Sequence, residues 1–279
     1  MRHIDQPGPP LAPRLLCASG GGRRFGFTLQ PGEALLQGAV AAFAREGFAS
    51  GVLRLRGGGF GPFAYVMPSL PVSPRNAAFY SETFRPAGTT RLGQGAMTLG
   101  QRDGLPFFHC HALWTEADGL ARGGHILPEE CQVALPVEVE AVGLDGAGFA
   151  ATTDDETNFR LFQPYGSGTE GRFHALRLRP NQDLTLALEA FCRARGIGRA
   201  VLHGGVGSTI GVHYADGRQV EPFATEMFIS AGEIDPAGLD SRVEVGLVNY
   251  TGAVSSGTLL RADNPVLMTM ELVLEALPG

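Results

Sequence analysis

Apolar and polar residues alternate over short stretches of this chain, and those stretches predict strands. Pro136–Val142 (PVEVEAV) and Leu267–Leu274 (LMTMELVL) show it most plainly, with side chains directed to opposite faces at every step. Phe25–Leu29 and Phe173–Leu178 predict two further strands, each running into a turn, Pro31-Gly32 or Pro180-Asn181. Helical spacing follows the second turn, where Leu184, Leu188 and Phe191 recur at i, i+4 and i+7. Gly196 closes that helix and Gly47 closes its counterpart, the usual place for a left-handed residue. Short apolar strands come next, Gly51–Leu55 and Ala200–His203.

These elements occur twice because the chain repeats. The segment from Arg23 aligns without gaps on the segment from Arg172, with Leu29 on Leu178, Pro31 on Pro180, Leu35 on Leu184 and Tyr65 on Tyr214. Further on the second copy is shorter: Ser81-Glu82-Thr83-Phe84 meets Thr225-Glu226-Met227-Phe228, and Gly119 and Gly124 meet Gly252 and Gly257. Element order survives while loops shorten, as duplicated units tolerate. The expected fold is α+β, two tandem copies of a small domain, each a mostly antiparallel sheet packed against one main helix. Boundaries fall at 1–22 for a loose tail or edge strand, 23–150 for the first domain, 151–170 for a linker and 171–279 for the second domain.

Composition narrows the chemistry. The 279 residues include 22 basic side chains, all arginine, against 28 acidic ones, for a net charge of −6. Without lysine there is no Schiff-base chemistry and no phosphate-loop lysine. An acidic chain with dispersed arginine is a poor DNA wrapper, since such affinity needs several phosphate contacts. Cys17, Cys110, Cys131 and Cys192 are widely spaced, which predicts free thiols and a cytoplasmic protein. No apolar run reaches the length of a signal or membrane-spanning segment, so no membrane partner is expected.

Candidate chemistry concentrates in Pro106–Leu127, PFFHCHALWTEADGLARGGHIL. In a strand, His109 and His111 share a face with Phe107 and Leu113, while Phe108, Cys110, Ala112 and Trp114 face the other way. A chain doubling back about Asp118 sets His125 opposite His111, on the same face. Three imidazoles on one face of a hairpin are a facial ligand set suited to Zn²⁺ or another divalent transition metal. The aligned positions of the second copy are Arg242, Glu244 and Thr258, so one working site and one degenerate site are expected.

The same residues resemble the plants-and-prokaryotes-conserved (PPC, or PCC) domain. The second copy carries the front pieces, Leu178 to Leu184 before and into the helix, Gly204–Ser208 (GGVGS) and Glu226–Gly232 (EMFISAG), and the first copy carries the back pieces, His109-Cys110-His111 and Gly123-Gly124-His125-Ile126. The resemblance implies a small α+β domain that assembles as a trimer, and the DNA-binding label attached to plant members. Their R-G-R-P segment is missing here. It also implies a fold similar to alpha-acetolactate decarboxylase, a zinc protein with three histidine ligands. The expected function is therefore a metal-dependent hydrolase or lyase acting on a small molecule through His109, His111 and His125. A DNA-binding regulatory module or a non-catalytic oligomerisation protein is the alternative. Glu82 is a candidate general base beside the metal, although its counterpart Glu226 survives where the histidines do not. Arg85 and Arg91 are candidates to hold an anion. Cys110 is expected in the core, and His174, His203 and His213 are expected to be structural.

Overall fold

The structure, a computed structural model, describes residues 2–278 apart from 167 and 169. The first half runs β1 (Leu15–Leu29), α1 (Leu35–Arg45), β2 (Gly51–Arg56), β3 (Gly59–Val66), β4 (Pro68–Ser69) and β5 (Phe79–Tyr80). It continues with β6 (Thr90–Arg102), β7 (Leu105–Thr115), β8 (Ala121–Leu135) and β9 (Val137–Asp145). A hairpin follows, β10 (Gly148–Asp154) and β11 (Phe159–Tyr165). The second half is β12 (Phe173–Leu178), α2 (Leu184–Arg195), β13 (Ala200–His213), β14 (Gln219–Ile234), β15 (Arg242–Asn249), β16 (Val254–Thr258) and β17 (Val266–Ala276).

The architecture is mostly antiparallel β-sheet. Its two helices among the described residues make the chain more β-rich than an even α+β mixture. The strands run in the order β16-β15-β14-β13-β17-β12-β1-β9-β2-β6. Beyond β2, β6 pairs β7, β7 pairs β8, β8 pairs β3, and β3 returns to β6, closing a ring that leaves no free edge there. Among the described residues the one parallel pairing is β10 with β6.

Two expectations about connecting segments change. Residues 151–170, read as a linker, contain most of the β10–β11 hairpin, and Leu161 and Phe162 are buried. The stretch read as a tail contains the start of β1, which joins the halves from the middle of the sheet: Leu15–Gly20 pair β12 and Gly21–Leu29 pair β9. The changeover is a glycine run because the backbones there are close. A Cβ on Gly20 would stand 2.2 Å from the Asp145 carbonyl oxygen.

Each helix covers its own half. α1 buries Leu35, Ala39 and Phe43, and α2 buries Leu184, Leu188 and Cys192. Asp183 caps α2 by accepting from the Leu186 N–H at 2.9 Å, and Gly196 ends it at φ 66°. Two cores result, one around Phe43, Leu53, Phe108 and Trp114, the other around Leu176, Leu188, Leu202 and Leu272. A third cluster lies between the halves, with Val52, Val142 and Phe149 against Phe173, Ala175 and Val273. Strand β12 is buried on both faces: Leu176 and Leu178 face the second core, while Phe173 and Ala175 face the first half.

His174 tests the seam where β1 meets β12. It is paired with Ser19 in the strand register, and its Nδ1 lies 2.8 Å from the Ser19 hydroxyl. Burial, aided by the Arg195 charge, lowers its pKa from 6.5 to about 4. The unfolded ring therefore protonates before the folded one, so its contribution is complete above pH 6.5 and is lost as pH falls toward 4. In urea midpoints measured from pH 7.5 to 4, His174→Gln flattens the acid decline. An unchanged slope would contradict the assignment.

Candidate metal centre

Strand alternation delivers the histidines to the seam between the halves. On β7, Phe108, Cys110, Ala112 and Trp114 enter the first core, and burial pushes the Cys110 thiol up. His109 and His111 face the opposite way. The β7–β8 register sets His111 directly across from His125, as the hairpin geometry predicts. The turn at Asp118 is closed by Gly119, at φ 80°, whose N–H donates to the Glu116 carbonyl at 2.9 Å.

The nitrogens converge. His109 Nε2 lies 2.9 Å from His111 Nε2, which lies 3.3 Å from His125 Nδ1. Glu226, from β14 of the second half, completes the group: its Oε2 touches His111 Nε2 and lies 3.7 Å from His125 Nδ1. One donor atom from each of the four residues falls within 4.8 Å of every other. The outward nitrogens are also held, His109 Nδ1 by Glu271 at 2.6 Å and His111 Nδ1 by the Met227 carbonyl at 2.9 Å.

Burial dominates the electrostatics. It drives the His109 pKa well below 6.5, and the neighbouring His111 and His125 charges add to the effect. For His111, burial acts the same way but is outweighed by Glu226, and its pKa rises. Burial alone would raise Glu226, yet His111 and then His125 hold it far below the ordinary carboxylate range. Burial pushes Glu271 up to about 8 against the pull of His111 and Arg177.

Two cavities reach the cluster. The smaller, about 50 Å³, touches His109, His111 and Glu226 and is walled by Phe159, Leu267 and Met268. The larger, about 280 Å³, opens on His109 and His125 and is lined by Phe107, Phe162 and Arg102. Tyr80, whose ring meets His125 edge-on at 5.3 Å, borders both.

Other candidate residues lie elsewhere. Glu82 is exposed after β5 and outside the cluster, where Glu226 and Glu271 stand instead. Pairing explains why: Leu53 of β2 faces Met97 of β6, as Leu202 of β13 faces Gly232 of β14. The strand placed like β14 is therefore β6, and Glu82 precedes it. Arg85 forms a bidentate pair with Glu130, and Arg91 is exposed. His203 binds Glu275 and His213 binds Asp263, each away from the cluster. The four cysteines are free.

Residues 165–278 match the model of the Plants and Prokaryotes Conserved (PCC) domain. No curated protein matches the chain. Among solved structures, it is similar to a plant- and prokaryote-conserved protein from Pyrococcus horikoshii, at 18% identity and a TM-score of 0.40, over 55% of this chain and 97% of the other. A metal-containing protein from Archaeoglobus fulgidus aligns at 18% identity and 0.40, over 50% and 92%. A candidate DNA-binding protein from Bacteroides thetaiotaomicron aligns at 14% identity and 0.37, over 50% and 91%.

The contrast between Glu226 and Glu82 is measurable in metal-free protein at pH 6. Glu226→Ala strips a buried imidazolium of its carboxylate and destabilises by about 1.5–3 kcal/mol in urea titrations. Glu82→Ala, at the surface, shifts stability by less than about 0.5 kcal/mol. Equal effects would contradict this placement.

Proposed function

We propose that this protein binds a divalent transition metal, Zn²⁺ or a similar ion, through His109, His111, His125 and Glu226. One atom carries the reading, His111 Nε2. The Met227 carbonyl only accepts, so His111 Nδ1 holds the ring proton. Once the imidazolium gives up its second proton to a metal, Nε2 presents a lone pair at the point where Glu226, His109 and His125 also converge. A single proton there serves one neighbour at a time, whereas a cation satisfies all four groups. The donor set fits as well, since imidazole and carboxylate suit zinc, and tetrahedral ligands about 2.0–2.1 Å from zinc stand about 3.3 Å apart. Glu226 Oε2 is buried against His111 Nε2 and His125 Nδ1, the neighbours expected of a ligand oxygen.

A bound ion would supply Lewis-acid chemistry for hydrolysis or a lyase step on a small molecule. The chain's own residues shape the access: Tyr80 and Phe159 line both cavities, and the larger one leads to His109 and His125. A cytoplasmic setting belongs to the same reading, and free thiols suit it. No helix among the described residues is long and apolar enough to cross a membrane. The net charge of −6 opposes the alternative of DNA binding.

The reading also takes 23–150 and 171–279 as one duplicated unit. Strand pairing supports it: Glu244 faces Thr258 across β15–β16, as His111 faces His125 across β7–β8. The second copy has thus exchanged its histidines and supplies carboxylates to the first. Self-association with a trimer-like arrangement of domains follows from the family resemblance.

Elemental analysis of purified protein tests the function. The expected result is about one zinc-like ion per chain, lost in His109→Ala and in His111→Ala. A wild-type chain that neither retains nor takes up stoichiometric metal would overturn the proposal.

A further inference from the structure

Resting on that metal reading, we infer that Glu271 is a positioning residue for the centre, fixing which nitrogen of His109 faces the ligand cluster. The argument begins with the pattern of β17. In LMTMELVL, Met270, Leu272 and Leu274 enter the second core. Residue 271 therefore points across the seam, where an apolar strand carries a carboxylate that is fully buried. A polar group in that setting needs a partner, and its Oε1 lies 2.6 Å from His109 Nδ1; a cation at the centre favours the ionised carboxylate, which accepts from Nδ1–H. With Nδ1 engaged by the carboxylate, His109 Nε2 is the nitrogen left toward His111 and the centre.

The support continues behind Glu271. Arg177 is its direct cross-strand partner on β12 and is itself fully buried. The guanidinium donates from Nε to Thr269 at 3.0 Å and from Nη1 to Asp154 at 2.7 Å. Its Nη2 and the outer Oε2 of Glu271 are both buried without a hydrogen-bond partner. A cation fixed at two points thus stands beside the carboxylate that holds the histidine. The arrangement is the carboxylate–histidine–metal line in which outer partners set ligand orientation and basicity. Here the carboxylate comes from the half of the chain that has no histidine cluster of its own.

Cobalt titration followed by visible absorption tests the role, using wild type, Glu271→Ala and Glu271→Gln, with thermal midpoints of the metal-free proteins taken alongside. Glu271→Ala weakens Co²⁺ binding by about 10–100-fold and alters the ligand-field bands. Glu271→Gln, which still accepts from Nδ1–H, restores most of the affinity and the wild-type band shape. Wild-type affinity and spectrum in Glu271→Ala would overturn the inference, as would equal losses in the alanine and glutamine variants. A wild-type protein that binds no Co²⁺ would overturn the metal reading, and this inference with it.

Discussion

Three imidazoles and two carboxylates share a buried seam between the two halves of the chain, and the surrounding structure follows from the need to compensate them. Isolated buried charge is strongly unfavourable, while paired and hydrogen-bonded charge is tolerated. His111 accordingly has Glu226 and the Met227 carbonyl, and His109 has Glu271. Behind Glu271, Arg177 sits between Thr269 and Asp154. Every step away from the cluster meets another residue whose position is dictated by the previous one.

That chain of compensation gives the long β1 its importance. By pairing β12 with its first residues and β9 with the rest, it holds one half against the other and keeps the seam closed. The β10–β11 hairpin adds Asp154 at the far end of the network, where it also binds Arg179. The two halves are thus not interchangeable. One contributes the imidazoles, and the other contributes the carboxylates and the carbonyl that orient them.

Much of the local structure was legible in the sequence. Period-two alternation placed Cys110 in the core and His109 and His111 together, and a turn about Asp118 set His125 opposite His111. The C-terminal glycine of α2 was equally plain. What stayed hidden was long-range. Aligning Glu82 with Glu226 ignored the extra segment before β6, so similar residues were matched across non-equivalent strands. The hairpin after β9 looked like a linker because its turn, Asp154–Asn158, is polar, although the flanking Leu161 and Phe162 are core residues. One signal could have found the second half of the site. Glu271 is the lone charge within LMTMELVL, and an apolar strand retains such a residue only opposite a partner.

Anomalous diffraction at the metal edge, on crystals of protein loaded with zinc, tests the central claim most directly. The account predicts one strong peak per chain, within about 2.0–2.2 Å of His109 Nε2, His111 Nε2, His125 Nδ1 and a Glu226 oxygen. A peak elsewhere, or imidazoles hydrogen-bonded to Glu226 with no peak among them, would contradict it.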